Sequence, residues 1–349
     1  MSLTVLSIAY PFAPVSADSV GGAEQVLWAL DDALVRAGHT SVVVAQAGSC
    51  VAGTLIPVPS VDGEITDAAR AEVHQAVRDA VTLALLRWPV DLIHLHGIDF
   101  HEYMPPAGVP ALATLHLPPS WYPADVFASA RPGTWLNPVS QAQRADCPAC
   151  PALLDAIPNG VAIDRLRSSA RKRGWAMALG RICPEKGFHH ALEAARRAEV
   201  PLLLAGHVYP YPDHQRYFAE QIAPRLDGTR RFIGAVGMDR KRRLLSAARC
   251  LLIPSTAPET SSLVAMEALA CGTPVIAFRI GALPEVVEDG VTGFIVDDER
   301  GMADAIRRVA AIDPEMCRAA ARERFDVART AGRYLDAYAR LARGAEVHA

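Results

Sequence analysis

The sequence predicts two doubly wound α/β domains, each a mostly parallel sheet with helices on both faces. Three observations carry this. Short apolar runs alternate with helical patterns from end to end, which is how parallel strands joined by helical crossovers read. The alternation breaks at Pro158-Asn159-Gly160 and a polar, basic run, and then restarts. The chain has 349 residues, more than one core usually serves.

In the first half, strands are expected at 4–9, 41–45, 92–96, 111–115 and 134–138. Between them, 23–37 carries Val26, Leu27, Leu30, Leu34 and Val35 on one helical stripe, with Gly38 as its stop. A second long helix, 67–87, ends at Trp88-Pro89. After a linker at 157–173, strands are expected at 175–179, 202–205, 231–233, 250–253 and 275–277. Helices near 188–198, 241–247 and 262–271 intervene, and a terminal helix over 327–342 puts Tyr334, Leu335, Tyr338 and Leu341 on one face. The expected domains are 1–165 and 166–325, followed by the segment 326–349.

Composition excludes several classes. Hydrophobic residues make up 51% and charged residues 21%, so disorder is not the dominant state. The net charge of −3 argues against a nucleic-acid partner. No apolar run approaches the ~18 residues of a membrane span. Residues 3–9 read as a first strand and not as a signal peptide, since no basic region precedes them. Seven scattered cysteines suit reduced thiols and a cytoplasmic location. Cys147-Pro148-Ala149-Cys150 has CxxC spacing without a second pair, and reads as a proline-rich loop more readily than as a zinc or redox site. Only Lys172, Lys186 and Lys241 among the 35 cations are lysine, so a lysine here is more informative than an arginine.

Open α/β sheets bind ligands beyond the carboxyl ends of their strands, and two such domains face to face would form a cleft. Residues just after strands are therefore the candidates. After the first strand, Gly21 and Gly22 open a helix, where backbone can approach a ligand and amides favour an anion. The loop before them is too long for a dinucleotide fingerprint. His94, His96 and His101 cluster in HLHGIDFH; metal ligation, a polar cleft lining and hydrogen-bonded core histidines are the three readings. His116 ends its own strand and can hydrogen-bond a substrate hydroxyl or phosphate. Trp121 and Tyr122 follow as an aromatic pair able to stack on an acceptor, or as plain loop aromatics.

In the second half, Arg181 ends a strand and Lys186-Gly187 opens a helix, so a planar fork and a point charge stand at one turn: a diphosphate clamp. The most informative stretch runs from Pro254 to Pro274. Glu259 lies in its loop, and Glu267 sits on a mostly apolar helix, where a carboxylate is costly unless paired. The amides of Ser261, Ser262 and Leu263 are open donors at the helix start. An anion site flanked by two carboxylates matches a nucleotide sugar, a diphosphate between two polyhydroxylated rings.

PETSSLVAMEALACGTPVIA resembles retaining glycosyltransferases of family 4, whose GT-B fold has two Rossmann-like domains. GALPEVVEDGVTGFIVDD, ALGRICPEKG, LLLAG, VSQAQRA with IPNGV, ATLH and GGAEQVLWALDDALVRAGH are similar too, in family order over nearly the whole chain. The resemblance implies Glu259 on the donor sugar's hydroxyls, Glu267 on the ribose, and Arg181 and Lys186 on the diphosphate. It implies that Gly21 and Gly22 approach the donor, that Gly206 borders it, and that His116 stands near the reacting centre. It implies too that the terminal helix returns to the first domain. Catalytic roles thus fall on His116, Glu259, Arg181 and Lys186, with Ser261, Ser262 and Leu263 completing the donor site. Two departures stand out: Ser261 and Ser262 replace the family's usual aromatic and glycine, and His207 follows Gly206.

The resemblance implies retaining, metal-independent transfer with no cofactor. The expected partners are a nucleotide-sugar donor, UDP-linked before GDP-linked, and a saccharide, lipid-linked or small-molecule acceptor. At most weak peripheral membrane association is expected, because residues 60–90 set Asp62, Glu64, Asp67, Glu72 and Asp79 against Arg70, Arg78 and Arg87. The competing readings are a nucleotide-sugar epimerase, a non-catalytic sugar-nucleotide binder, an NAD(P)-dependent oxidoreductase and a pyridoxal-phosphate phosphorylase.

Overall fold

The computed structural model describes residues 2–344 apart from 62, 64, 129, 130 and 169. Asp62 and Glu64 of the stretch weighed above lie outside the described residues. The chain forms two compact units, one of Met1–Asn159 with Val327–Ala349 and one of Gly160–Asp326.

The first unit is built on β1 (Thr4–Ile8), β2 (Thr40–Gln46), β3 (Thr54–Val58), β4 (Leu92–Leu95), β5 (Ala111–Leu115) and β6 (Thr134–Pro138). The spatial order is β3-β2-β1-β4-β5-β6 and every neighbouring pair is parallel. β1, β4 and β5 are buried along their whole length, as continuous apolar runs in a covered parallel sheet should be. The helix Gly22–Arg36 buries Val26, Leu27, Leu30 and Leu34, whereas Val35 of the predicted stripe is exposed. Asp31, also buried on that helix, accepts from Ser41 Oγ at 2.6 Å and from the Ala52 amide at 2.6 Å, which pins the β2–β3 connection. The terminal helix Val327–Ala342 packs in this unit against Gly22–Arg36 and β4, and buries Tyr334, Tyr338 and Leu341.

The second unit contains β7 (Ala176–Leu179), β8 (Leu202–Ala205), β9 (Arg230–Phe232), β10 (Leu251–Ile253), β11 (Val275–Phe278) and β12 (Gly293–Val296). Their order is β12-β11-β10-β7-β8-β9, again parallel. Counted from the first strand of each unit, both sheets have the doubly wound order 3-2-1-4-5-6. The order reverses between β1 and β4 in one unit and between β7 and β10 in the other, and those two switch points are where such folds bind ligands. Ile163 and Leu166, from the segment read as linker, belong to the second core.

Two strands escape the periodicity reading, β3 and β12, and both are outermost in their sheets. β3 is half-exposed and contains Pro57, which an edge strand tolerates because it need not donate on its outer side.

Candidate functional site

In the second unit the switch point does the assembling. The loop after β7 carries Arg181 and Lys186, and the loop after β10 carries Ser255 and Glu259. β7 and β10 are neighbours, so residues far apart in sequence meet: Lys186 Nζ donates to Glu259 Oε1 at 2.5 Å, and Ser255 Oγ donates to the same oxygen at 2.5 Å. The two loops are stitched further by the Thr256 amide donating to the Glu185 carbonyl at 2.8 Å. Gly187, at φ +59°, caps the next helix, Phe188–Ala198, and a Cβ there would collide with the Pro254 carbonyl. Both its backbone conformation and its closeness to the β10 loop require glycine. Gly281 makes the same demand from the other side, since a Cβ would strike the Glu259 backbone, and the Ala282 amide donates to the Glu259 carbonyl at 2.7 Å.

Burial pushes the Glu259 carboxyl up, but Lys186, Ser255 and Arg181 outweigh it and hold the group below the ordinary carboxylate range. Glu259 is thus an ionised acceptor fixed in place.

Glu267 is buried on the helix Leu263–Ala270, and Lys241 Nζ donates to its Oε1 at 2.5 Å. Sequence reasoning asked for a partner to this carboxylate and did not name Lys241. The signal was there: Lys241 is one of three lysines, and all three engage named oxygens. Lys172 donates to Thr273 Oγ1, Lys186 to Glu259 and Lys241 to Glu267.

The start of that helix holds the least ordinary residue of the unit. Ser262, its N-cap, has φ +59° and ψ +68°. A left-handed conformation costs an L-residue with a Cβ roughly 1–2 kcal/mol. The Ser261 and Ser262 hydroxyl oxygens are buried without a hydrogen-bond partner among the described residues. Ser262 offers no side-chain cap to the helix, and Leu263 is its first residue. Gly206 follows β8, and a Cβ on it would meet the Gly180 carbonyl, so the ends of β7 and β8 close up tightly.

The first unit has a different polar cluster. His94 and His96 share one face of the strand, with ring centroids 3.9 Å apart, and the His96 and His116 rings lie edge to edge and nearly coplanar, centroids 5.3 Å apart. His94 is fully buried and both ring nitrogens are engaged, Nδ1 with Tyr338 Oη at 2.7 Å and Nε2 with Thr114 Oγ1 at 2.8 Å. Of the three readings of this histidine, the hydrogen-bonded core one describes it. His96 Nδ1 lies 3.0 Å from His116 Nε2. Burial lowers the pKa of all three rings, that of His116 to about 3, so each is neutral at pH 7. His101 stands apart, beside Glu102 at 3.4 Å.

Trp121 and Tyr122 do not act as a pair. Trp121 is exposed, but Tyr122 is buried, packed on Phe100 and Phe127, with its hydroxyl accepting from the Leu117 amide at 3.3 Å. The expectation that Tyr122 stacks on an acceptor is corrected: an aromatic next to a core-bound 3₁₀ turn found apolar neighbours first. Gly21 caps the helix Gly22–Arg36, and a Cβ there would run into the Glu24 carboxylate. Cys147 and Cys150 are half-buried free thiols on the core edge, and burial pushes Cys147 up to about 11, far from a reactive thiolate.

Two parallel doubly wound units, one with a lysine-paired glutamate at its switch point and a second paired glutamate on the following helix, have the architecture of the GT-B glycosyltransferases. Comparison with known proteins agrees. Residues 174–311 match the family model of glycosyl transferases group 1. Over 318 residues, 81% of this chain and 80% of the relative, the sequence is 28% identical to phosphatidyl-myo-inositol mannosyltransferase of Mycobacterium tuberculosis. It is 34% identical over 155 residues, 41% of the chain, to alpha-maltose-1-phosphate synthase of the same organism, and that match spans 40% of the relative's length. The solved structure of AviGT4, a glycosyltransferase involved in avilamycin A biosynthesis, superposes with a TM-score of 0.75 at 27% identity, covering 98% of this chain and 99% of that one. The residues that match the group 1 family model all lie in the second unit, Gly160–Asp326.

Proposed function

We propose that this protein is a retaining hexosyltransferase that moves a sugar from a nucleoside-diphosphate sugar to an acceptor hydroxyl without a metal. One observation carries the reading most directly: an ionised Glu259 is clamped by Lys186 beside Arg181, next to two buried hydroxyls at a helix start that have no partner among the described residues. A diphosphate supplies acceptor oxygens to Arg181, Ser261, Ser262, the first helix amides and the remaining N–H groups of Lys186, and sugar hydroxyls supply donors to Glu259 and Glu267. As the glycosidic bond breaks, negative charge grows on the leaving diphosphate, and fixed cations and amides stabilise it there most. Neither glutamate serves as a nucleophile: each is already engaged by a lysine. The resemblance gives His116 a place at the donor sugar. UDP is the first base to try and GDP the second. By their names, one relative is a phosphatidyl-myo-inositol mannosyltransferase and another makes alpha-maltose-1-phosphate, so phosphate-bearing acceptors are worth including.

Thermal unfolding against UDP, GDP, ADP and NADH tests this. A ligand at 100 times its Kd adds about 2.7 kcal/mol, which is ~2 °C or more for a chain of this size. A shift with one nucleoside diphosphate that vanishes in Arg181→Ala is the expected result. A shift with NADH alone, or none at all, removes the reading. Formation of an isomeric sugar nucleotide without acceptor would turn it into an epimerase.

A further inference from the structure

In the second unit, the loops after β7 and β8 bring together three side chains that the donor site does not use. Cys183 and Glu185 stand on the first loop, at the 3₁₀ turn Pro184–Lys186, and His214 stands on the second, in the short helix Pro212–Tyr217. One atom of each able to bind a metal lies within 4.8 Å of the other two: the Cys183 sulfur, a Glu185 carboxylate oxygen and a His214 ring nitrogen.

The backbone holds this set in place from both sides. β7 and β8 are paired neighbours, and beyond their ends the Ile182 amide donates to the His207 carbonyl at 3.0 Å. On the first loop the Lys186 amide donates to the Cys183 carbonyl at 3.2 Å, and the Thr256 amide donates to the Glu185 carbonyl at 2.8 Å. On the second, Tyr217 is buried and its hydroxyl accepts from the His189 amide at 3.2 Å, which docks the short helix on Phe188–Ala198. The side chains themselves are under-used. The buried Cys183 thiol makes one long contact with a carbonyl, that of Arg181 at 3.6 Å. His214 Nδ1 is buried without a hydrogen-bond partner among the described residues, and its ring is flanked by Tyr211 with centroids 5.1 Å apart.

A thiolate, an imidazole and a carboxylate together suit zinc, whereas magnesium and calcium prefer sets made wholly of oxygen. Tetrahedral zinc with bonds of about 2.0–2.3 Å sets its ligand atoms roughly 3.3–3.8 Å apart. Closing the present set to that spacing takes about 1–1.5 Å at the side-chain tips, within the reach of side-chain rotation. Three protein ligands leave the fourth position to water.

We propose that Cys183, Glu185 and His214 bind one zinc-class divalent cation, which fastens the loop carrying Arg181 and Lys186 to the helix Pro212–Tyr217. On binding, the Cys183 S–H bond breaks, its proton passes to solvent and the sulfur bonds the metal; nothing is oxidised or reduced. The ion has no part in the transfer proposed above, and the site stands without that reading.

Cobalt(II) titration of the full chain, kept reduced and free of nucleotide, tests the site, because a thiolate ligand gives cobalt an intense near-ultraviolet charge-transfer band. The expected result is one equivalent bound with that band, which zinc then bleaches. Cys183→Ser removes the band. His214→Gln and Glu185→Gln each lower cobalt affinity at least ~10-fold, as loss of even an indirect supporting group does. Both residues are partly exposed, so these two variants carry the test should Cys183→Ser fail to fold. The double variant C147S/C150S removes the other closely spaced thiols and keeps the band. No band in the wild type, a band retained in Cys183→Ser or lost in C147S/C150S, or unmoved affinity in both His214→Gln and Glu185→Gln overturns the proposal. Turnover before and after chelation bears on the functional reading separately: activity lost on stripping the ion would overturn metal-independent transfer and leave the site standing.

Discussion

The two switch points share one strand order and hold opposite kinds of polar chemistry. At β7 and β10 the groups are charged and the set is incomplete: Glu259 and Glu267 each have a lysine, while the Ser261 and Ser262 hydroxyls are buried without a partner among the described residues. Beside β1 and β4 the groups are neutral and linked to one another from Asn137 to His116. The contrast teaches that one sheet topology can carry either charged groups with buried hydroxyls left unmatched or a neutral network matched within itself, according to whether the protein supplies the counter-groups. An unsatisfied buried hydroxyl costs roughly 1–3 kcal/mol, and a bound ligand can recover it.

Acid should separate the units most strongly. His94 and His96 have lowered pKa values and His116 is lowered to about 3, so in the folded first unit these three rings stay neutral where the same rings of the unfolded chain take up protons below about pH 6.5. The stabilising difference is present above pH 6.5 and is lost as pH falls toward the folded values. Each ring contributes up to ~1.4 kcal/mol per pH unit, so three together approach ~4 kcal/mol per unit. The second unit bears the same sign through His189, lowered to about 4, and through the part-exposed His214, without a cluster. Four of the five tryptophans, Trp28, Trp88, Trp121 and Trp135, lie in the first unit, so fluorescence melts of Trp175→Phe between pH 7.5 and 4.5 follow that unit alone. A flat melting temperature across that range would remove the contrast.

Next in size is the loss of a cation from the charged site. Arg181→Ala should keep its fold and lose about 100-fold or more in turnover, the scale of a transition-state charge left without its donor. Full activity in a folded variant would mean that the clamp does not serve the reaction. Tyr334→Phe breaks the neutral chain between Asn137 and Thr114 and should cost about 1–2 kcal/mol in urea unfolding, because two fully buried polar groups lose their link. An unchanged midpoint would show that the chain is not continuous in solution.

The smallest effect bears on the strained N-cap. Ser262→Gly should stabilise the ligand-free chain by about 1 kcal/mol by relieving the left-handed conformation, and weaken nucleoside-diphosphate binding by removing the hydroxyl. Ser262→Ala keeps the strain and loses the hydroxyl, so it should weaken binding without the gain in stability. Equal nucleotide affinity in both variants would show that the hydroxyl contacts nothing in the bound ligand.

The order of elements could be read from the chain because each inner strand is a continuous apolar run and each long helix a periodic one, as in β1, β5 and Gly22–Arg36. β3 was hidden because it is a half-exposed edge strand with a blurred pattern, and β12 because it is only four residues long and opens on Gly293. Glu259, Lys186 and Arg181 were found because glycines and cations just after strands are a local signal that parallel topology turns into a site. What local signal could not supply was partnership. That Lys241 answers Glu267, that Tyr122 turns inward, and that a serine holds a glycine's backbone conformation depend on neighbours more than 20 residues away or on the packing of a single loop. The chain of hydrogen bonds from Asn137 to His116 is the extreme case. Its members come from β4, β5, β6 and the terminal helix, up to 244 residues apart, and a histidine's tautomer is set by the atom its other nitrogen meets. By itself the sequence determined the two sheets and the charged residues at their switch points, because those follow from periodicity and turns along one stretch of chain. Only the tertiary structure decided which polar atoms are matched and which wait for a ligand, because that depends on what burial brings within hydrogen-bond distance.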